Sequence, residues 1–203
     1  PPCPWEPFQD PAVLAVLAAH YGWCVADWHG PLGLERRFPI IGSLQGRTWS
    51  PEFRDPDGWV DRICAAPVGL VDVMTNVRIV HPRFELVSPP DLVSSIVVLD
   101  LDPDVMLRSF EKRARNAIAR AQREGLIVEP TRTAADLDAF ATFMHRFTLA
   151  GTRFEVPPTA LIEAFLHADL ARLHVARCGG RLVGGLVLLG RGATAHGLIA
   201  GYD

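Results

Sequence analysis

The last third of the chain alternates apolar runs with short turns, and this pattern constrains the possible folds more than any other feature. Residues 171–177, 181–189 and 193–200 have the composition of strands. Their two connections, Gly-Gly at 179–180 and Arg-Gly at 191–192, contain residues that tight turns favour. Because a tight turn joins neighbouring strands in opposite directions, the sequence predicts a three-strand antiparallel meander.

The residues before the meander supply the other elements of the same domain. Residues 126–132 have the pattern of a strand, and Thr133 and Asp136 are suited to cap a helix that ends at Gly151. Its apolar positions recur at helical spacing: Leu137, Phe140, Met144 and Phe147. A second helix follows the two prolines at 157–158. The order strand, helix, helix, strand, strand, strand predicts an α/β (α+β) domain with a mixed, largely antiparallel sheet.

A basic helix is predicted for residues 104–124, between a capping residue, Asp102, and Gly125 at its end. Between Arg108 and Arg123, six basic residues accompany a single acid, Glu111: Arg108, Lys112, Arg113, Arg115, Arg120 and Arg123. Apolar residues recur every three or four positions and predict one face docked on a core: Leu107, Phe110, Ala114, Ile118 and Ala121. Neighbouring positive charges on a helix repel one another, and acidic residues usually relieve this repulsion. Because few acids do so here, two interpretations of the basic helix stay open: a site for a phosphorylated or nucleic-acid ligand, and a solvated face.

The composition excludes several classes of protein. The chain has 203 residues, 49% apolar content and a net charge of −3, which is typical of a folded chain with two small domains. The longest apolar run, residues 12–19, is too short to span a membrane, so we predict a cytoplasmic protein without stable membrane insertion. No metal site is predicted, because His145, His167 and His174 lack acidic or cysteine partners at metal-ligand spacing.

The first half of the chain predicts a separate and less regular unit. Helices are predicted near residues 10–21 and 57–66, and strands near 23–28, 35–42, 47–50, 68–74 and 94–101. A boundary placed at 95/96 gives an N-terminal domain, 1–95, and a second domain, 96–203, which contains the basic helix.

Several short motifs of the second domain follow one another in a fixed order. The basic segment reads Arg115, Ile118, Ala121, Gly125 and Ile127 at fixed spacing. It is followed by Gly151-Thr152-Arg153, by Pro157-Pro158 and by the GGRLVGG hairpin. This succession resembles the FemABX family of peptidoglycan bridge-forming aminoacyltransferases and its wider FemAB-like relatives, and the order of elements resembles the GNAT N-acyltransferase fold. The first half resembles the family more loosely, through HYGW, FPIIG and TWSPEF.

The resemblance implies tandem GNAT-like domains, the first divergent and the second truncated at its C-terminus. It implies an N-acyltransferase that moves an aminoacyl group from aminoacyl-tRNA to an amine of a peptidoglycan or other anionic cell-envelope precursor in bacteria, with no metal and no tightly bound cofactor. One alternative is a GNAT-like enzyme that uses acyl-CoA or an acyl-carrier protein on another amine. Another is a non-catalytic module that binds RNA or another anion. Without the closing half of the second domain, residues 1–203 alone are expected to be inactive.

Candidate site residues follow from the resemblance and from the basic helix. Arg153 is expected to bind an anionic group of the acceptor. His196 lies where relatives often carry an aromatic residue, and it is a candidate catalytic base. Lys112 and Arg115 are expected to contact phosphates of a donor tRNA or a nucleotide-linked acceptor, although an arginine bound to its own domain would look the same. The glycines at 184–185 predict either a close approach of substrate or tight packing against a helix.

Overall fold

The chain forms two units in a computed structural model, which describes residues 6–28, 32–37, 44–49, 56–65, 69–74, 82, 85, 102–149, 156–190 and 194–202. Contacts between residues assign Pro1–Ser95 and Leu189–His196 to unit 1, and Ile96–Leu188 and Gly197–Asp203 to unit 2. The interpretation of unit 1 as a divergent GNAT-like domain stays a prediction, as does truncation of the second domain.

Unit 1 combines helices with a four-stranded sheet. Its described elements are a 3-10 helix (Glu6–Gln9), α1 (Pro11–Tyr21), β1 (Cys24–Asp27), β2 (Leu32–Arg37), β3 (Leu44–Trp49), α2 (Pro56–Ala65) and β4 (Leu70–Met74). The strands lie in the order β1-β2-β3-β4, and every pair is antiparallel except β3–β4. Asp10 caps α1 by accepting a hydrogen bond of 2.8 Å from the backbone N–H of Ala12. The strand predicted at 94–101 lies outside the described residues.

A buried tryptophan lies in the core of unit 1. Trp28 is 2% exposed and belongs to one apolar cluster with Val60 and Ile63 of α2. Its indole Nε1 donates a hydrogen bond of 2.5 Å to the carboxylate of Glu35, which is 7% exposed. The buried carboxylate on β2 is therefore hydrogen-bonded, as buried polar groups generally are.

Unit 2 contains the predicted α/β domain. Its elements are α3 (Pro103–Ser109), α4 (Lys112–Arg123), β5 (Leu126–Thr131), α5 (Ala134–Leu149), α6 (Thr159–His167), β6 (Ala171–Cys178), β7 (Arg181–Leu189) and β8 (His196–Tyr202). The strands lie in the order β5-β6-β7-β8, and β5 pairs antiparallel with β6. The predicted fold class is confirmed: the protein is a mixed α/β structure with two mostly antiparallel sheets, consistent with a GNAT-like fold.

One face of this second sheet is covered by α5 and α6. Odd-numbered residues of β6, such as Leu173 and Val175, are fully buried, together with Phe140 of α5 and Phe165 of α6. Even-numbered residues of the same strand are exposed or half-buried, because successive side chains of a strand point to opposite faces. The face of the sheet opposite the helices is thus the more accessible one in this unit.

The basic helix predicted over 104–124 is wrong as a single helix, because the structure has two. Asp102 caps α3 as predicted, and Gly125 follows α4 with a left-handed φ of 75°. Between the helices, Phe110 has an extended backbone with ψ 150°. The guanidinium of Arg115 donates to the carbonyl oxygens of Arg108, at 3.2 Å, and Phe110. These bonds satisfy carbonyl groups at the end of α3 and stabilise the break.

The predicted docking of the basic helix on a core is also wrong. None of the residues of α3 and α4, all of which are described, is buried. Ile118 and Ala121 of the expected apolar stripe are half-buried, and Leu107 is 37% exposed. Short apolar side chains such as alanine remove little surface from water, so this stripe supplies little driving force for burial. The charged face of α4 is consequently open along its length.

Candidate functional site

Four of the five charged side chains of α4 lie on one side of the helix, which we call the basic face: Lys112, Arg113, Arg120 and Arg123. At about 100° per residue, these four positions lie within about 100° of one another around the helix. Ala114, Ala121 and Ile118 occupy the opposite side. The basic face extends over about 16 Å, from Lys112 to Arg123, at about 1.5 Å per residue.

The two ends of the basic face differ in how their charges are balanced. Arg120 forms a 2.7 Å ion pair with Glu124, and this hydrogen bond and the charge of Glu124 raise the pKa of Arg120. Arg123 donates a hydrogen bond of 3.3 Å to the carbonyl of Ala119. Lys112 and Arg113 are exposed and have no carboxylate partner among the residues that the structure describes. Since these two cations lie at the positive end of the helix dipole, an external anion would be stabilised there.

Arg115 does not belong to the basic face. It lies about 60° outside the arc at 100° per residue, and its guanidinium is bonded to the carbonyls at the end of α3. The structure therefore gives Arg115 a local role, and its predicted contact with phosphate stays a prediction. Arg113, which the sequence reasoning passed over, is exposed beside Lys112. Its position on the helical wheel was the signal that could have identified it.

A cavity of about 420 Å³ lies on the face of the second sheet that is opposite α5 and α6. Its lining residues are Leu126, Val128, His174, Ala176, Val183, Gly184, Gly185, Leu186, Leu188, Gly201 and Tyr202. Cavities of about 300–1,000 Å³ with mostly apolar walls and a few polar groups are typical of small-molecule sites. The strand register explains the grouping, because Val128 of β5 lies opposite Ala176 of β6.

Two side chains of the cavity carry polar groups. His174 is half-buried on β6, and Tyr202 is 82% exposed at the end of β8. An imidazole can take or give a proton near neutral pH, and a phenol can donate a hydrogen bond. The sequence reasoning considered His174 only as a metal ligand. The informative signal was its position: it lies on the accessible face of β6, where Ala176 also lines the cavity.

The glycines at 184–185 are explained by close packing of protein against protein. A Cβ at Gly185 would lie 2.6 Å from the ring of Phe140, and a Cβ at Gly184 would lie 2.9 Å from the carbonyl of Gly201. Of the two interpretations left open, tight packing against a helix applies to Gly185. Both glycines nevertheless border the cavity, so its floor is formed partly by backbone.

The basic face and the cavity are close along the chain at the connection between α4 and β5. Only Glu124 and Gly125 separate Arg123, the last residue of α4, from Leu126, which lines the cavity. Cys178 of β6 donates a hydrogen bond of 3.4 Å from Sγ to the carbonyl of Glu124 and ties this connection to the sheet. The end of α4 at Arg123 is therefore held beside the β5–β6 strands of unit 2.

The other predicted site residues lie elsewhere. The ring of His196 packs edge-on against Phe8 with centroids 5.2 Å apart, and His196 is not among the residues that line the cavity. Its role as a base stays a prediction. Arg153 lies outside the described residues. Within the described ranges, no group of three or more His, Cys, Asp or Glu side chains is arranged to hold a metal ion.

A comparison with known protein families finds a match in the second half of the chain. Residues 108–203, slightly less than half of the sequence, match the family model described as an acetyltransferase (GNAT) domain. The match includes α4, the cavity and the whole second sheet, and it supports N-acyltransferase activity of the GNAT type. A search of curated proteins found no match. Among the described residues, no helix combines the length and apolar character needed to cross a membrane.

Proposed function

We propose that this protein transfers an acyl group from a phosphate-bearing donor to an amine, with the donor phosphates on the basic face and the acyl group at the cavity. The short separation of these two surfaces along the chain, only Glu124 and Gly125, carries the proposal. The matched GNAT domain supports the reaction class. The leading version is transfer from aminoacyl-tRNA to an amine of a peptidoglycan or other anionic cell-envelope precursor, on the basis of the FemAB-like motifs.

The reaction needs an unprotonated amine and stabilisation of a tetrahedral oxyanion. In the proposed mechanism, the amine nitrogen attacks the acyl carbonyl carbon while His174 accepts the amine proton. The C–O bond to the tRNA ribose, or the C–S bond of a thioester donor, then breaks. The leaving oxygen or sulfur takes the proton back from His174. The phenol of Tyr202, which lines the same cavity, donates to the oxyanion in this mechanism.

The charges of the basic face support a donor that carries several phosphates. Lys112 and Arg113 have no acidic partner among the described residues, so binding a phosphate there breaks no existing ion pair. Exposed cations without counter-charges raise the local concentration of anionic ligands and speed their association. The acceptor site is assigned to Arg153 only through the family resemblance.

Acyl-CoA or an acyl-carrier protein is the second candidate donor, and the composition of the cavity favours it. No acidic side chain is among the described residues that line the cavity. The α-ammonium group of an aminoacyl donor would thus lack a carboxylate partner inside it, whereas a simple acyl group needs none. Coenzyme A also carries phosphates for the basic face.

The test is a transfer assay with product masses as the readout. Aminoacyl-tRNA and acyl-CoA are offered separately to the chain, each with a nucleotide-linked muropeptide and with a simple diamine. Product from aminoacyl-tRNA supports the leading version, and product from acyl-CoA supports the second. The proposal departs from the expectation that residues 1–203 are inactive, because both proposed surfaces lie within unit 2, and either product would overturn that expectation. Salt-sensitive RNA binding without any product would instead identify a non-catalytic module.

A further inference from the structure

We infer that the cavity of unit 2 receives an uncharged aliphatic chain of the transferred acyl group. This inference rests on the proposed function and names the substrate class of the same site. Apart from His174 and Tyr202, every lining residue is aliphatic or glycine. A charged chain would lose its hydration there without gaining an ionic partner, whereas an aliphatic chain is driven in by burial of apolar surface.

The half-buried lining residues of the cavity favour a slender ligand over a protein surface. Leu126, Ala176, Leu186 and other lining side chains are already half-buried, while Val128 is 61% exposed at the rim. A single chain can follow the groove between the side chains of neighbouring strands and contact both walls.

Two neighbouring residues of β5 provide a matched pair of variants. Val128 lines the cavity and is 61% exposed, and Ile127 is 60% exposed but does not line it. Successive strand residues point to opposite faces, so phenylalanine at 128 enters the cavity and phenylalanine at 127 does not. Both side chains are on the surface, which makes folding of both variants the expected result. Thermal melting checks it.

The binding test uses octanamide and butanamide as neutral probes, followed by NMR at the His174 ring and by calorimetry. Each buried methylene contributes about fourfold in affinity, so octanamide should bind on the order of 100-fold more tightly than butanamide. Val128→Phe should weaken octanamide binding by roughly tenfold or more, and Ile127→Phe should leave it unchanged. No saturable binding, or equal binding in the folded Val128→Phe variant, would overturn the inference.

Transfer assays with two donor series identify which donor supplies the aliphatic chain. Acetyl-, butyryl- and octanoyl-CoA form one series, and glycyl-, leucyl- and aspartyl-tRNA form the other. We expect the longer aliphatic member of the active series to be preferred, and Val128→Phe to shift the preference to the short member. Transfer that ignores chain length overturns the inference but leaves the proposed function standing. Octanamide binding that depends on Val128, with no transfer from any donor, supports the cavity inference and contradicts the proposed function.

Discussion

The guanidinium of Arg177 on β6 is bonded to the carboxylate of Asp136 in the first turn of α5. Asp136 also accepts a 2.6 Å hydrogen bond from the hydroxyl of Thr131. Hydrogen bonds with the side chains of Thr131 and Thr133, followed by the charge of Arg177, lower the pKa of Asp136. This network joins the start of α5 to the β5–β6 pair, which forms one wall of the cavity.

The lowered pKa of Asp136 makes the stability of unit 2 depend on pH. A carboxylate whose pKa is lower in the folded state stabilises that state above its unfolded pKa, about 3.9. This stability is lost as the pH falls below that value and through the folded pKa. Asp136→Asn should cost about 1–3 kcal/mol at neutral pH and reduce the loss of stability in acid. Urea unfolding between pH 7 and pH 3 measures both effects.

The matched control is Asp138→Asn, because Asp138 is exposed on the same helix. It should change the free energy of unfolding by less than about 0.5 kcal/mol. Equal effects of the two substitutions at neutral pH would contradict the role assigned to the Asp136 network.

Charge reversal on the basic face should weaken binding of the donor without unfolding the protein. Lys112→Glu and Arg113→Glu should each raise the KM for the phosphate-bearing donor roughly two- to fivefold at low salt. The salt dependence of KM should become shallower by about one unit of logarithmic slope for each lost phosphate contact. Steady-state kinetics over a salt series provides the measurement. Arg146→Glu, an equal charge change on α5, is the control. An equal effect of Arg146→Glu on KM would mean that the net charge of the protein, and not the basic face, determines donor binding.

Arg115 should behave differently from the residues of the basic face. Arg115→Met removes the donors that bond the carbonyls of Arg108 and Phe110, so it should lower stability by about 1 kcal/mol. The salt slope of KM should stay at its wild-type value. Thermal melting and the same salt series are the readouts. A shallower salt dependence of KM in Arg115→Met, with an unchanged melting temperature, would mean that Arg115 contacts phosphate.

His174 is expected to be the proton acceptor in the reaction. Removing a general base typically lowers kcat by about 10²- to 10⁴-fold, and His174→Gln should do so with little change in KM. His167→Gln, at an exposed position on α6, serves as the control for loss of a histidine. A larger loss of kcat in His196→Gln than in His174→Gln would return the catalytic role to His196.

Gly185 should tolerate no side chain. The added methyl of Gly185→Ala would lie 2.6 Å from the ring of Phe140 and 3.0 Å from the carbonyl of His174. Such overpacking typically costs about 1–3 kcal/mol. Gly197→Ala, where the nearest atom would be 3.9 Å away, should be close to neutral. Chemical unfolding compares the two. If Phe140→Leu partly restores the stability of Gly185→Ala, the ring contact is the cause.

The sequence predicted the elements whose determinants are local. The strands at 126–132 and 181–189 and the capping roles of Asp102 and Thr133 follow from neighbouring residues, and the structure contains each of them. The break at Phe110 could not be predicted in this way. It depends on a side chain, Arg115, reaching back five and seven residues to backbone carbonyls, and helical periodicity does not encode such a contact.

The sequence could predict only part of the candidate site, for a similar reason. The clustering of charge on α4 is visible in the spacing of residues along one helix. The cavity, in contrast, requires the pairing of Val128 with Ala176 and the order of four strands. Until that order is known, His174 is indistinguishable from an ordinary strand histidine. The preference for His196 came from the family resemblance and not from any contact.

The central claim is that this chain transfers an acyl group to an amine, and the mass of an amine acceptor after incubation tests it most directly. With the matching phosphate-bearing donor, the wild-type chain should add one acyl mass to the acceptor, and His174→Gln should add almost none in the same time. An acceptor whose mass stays unchanged with every aminoacyl-tRNA and acyl-CoA donor, in the presence of correctly folded protein, would contradict the account.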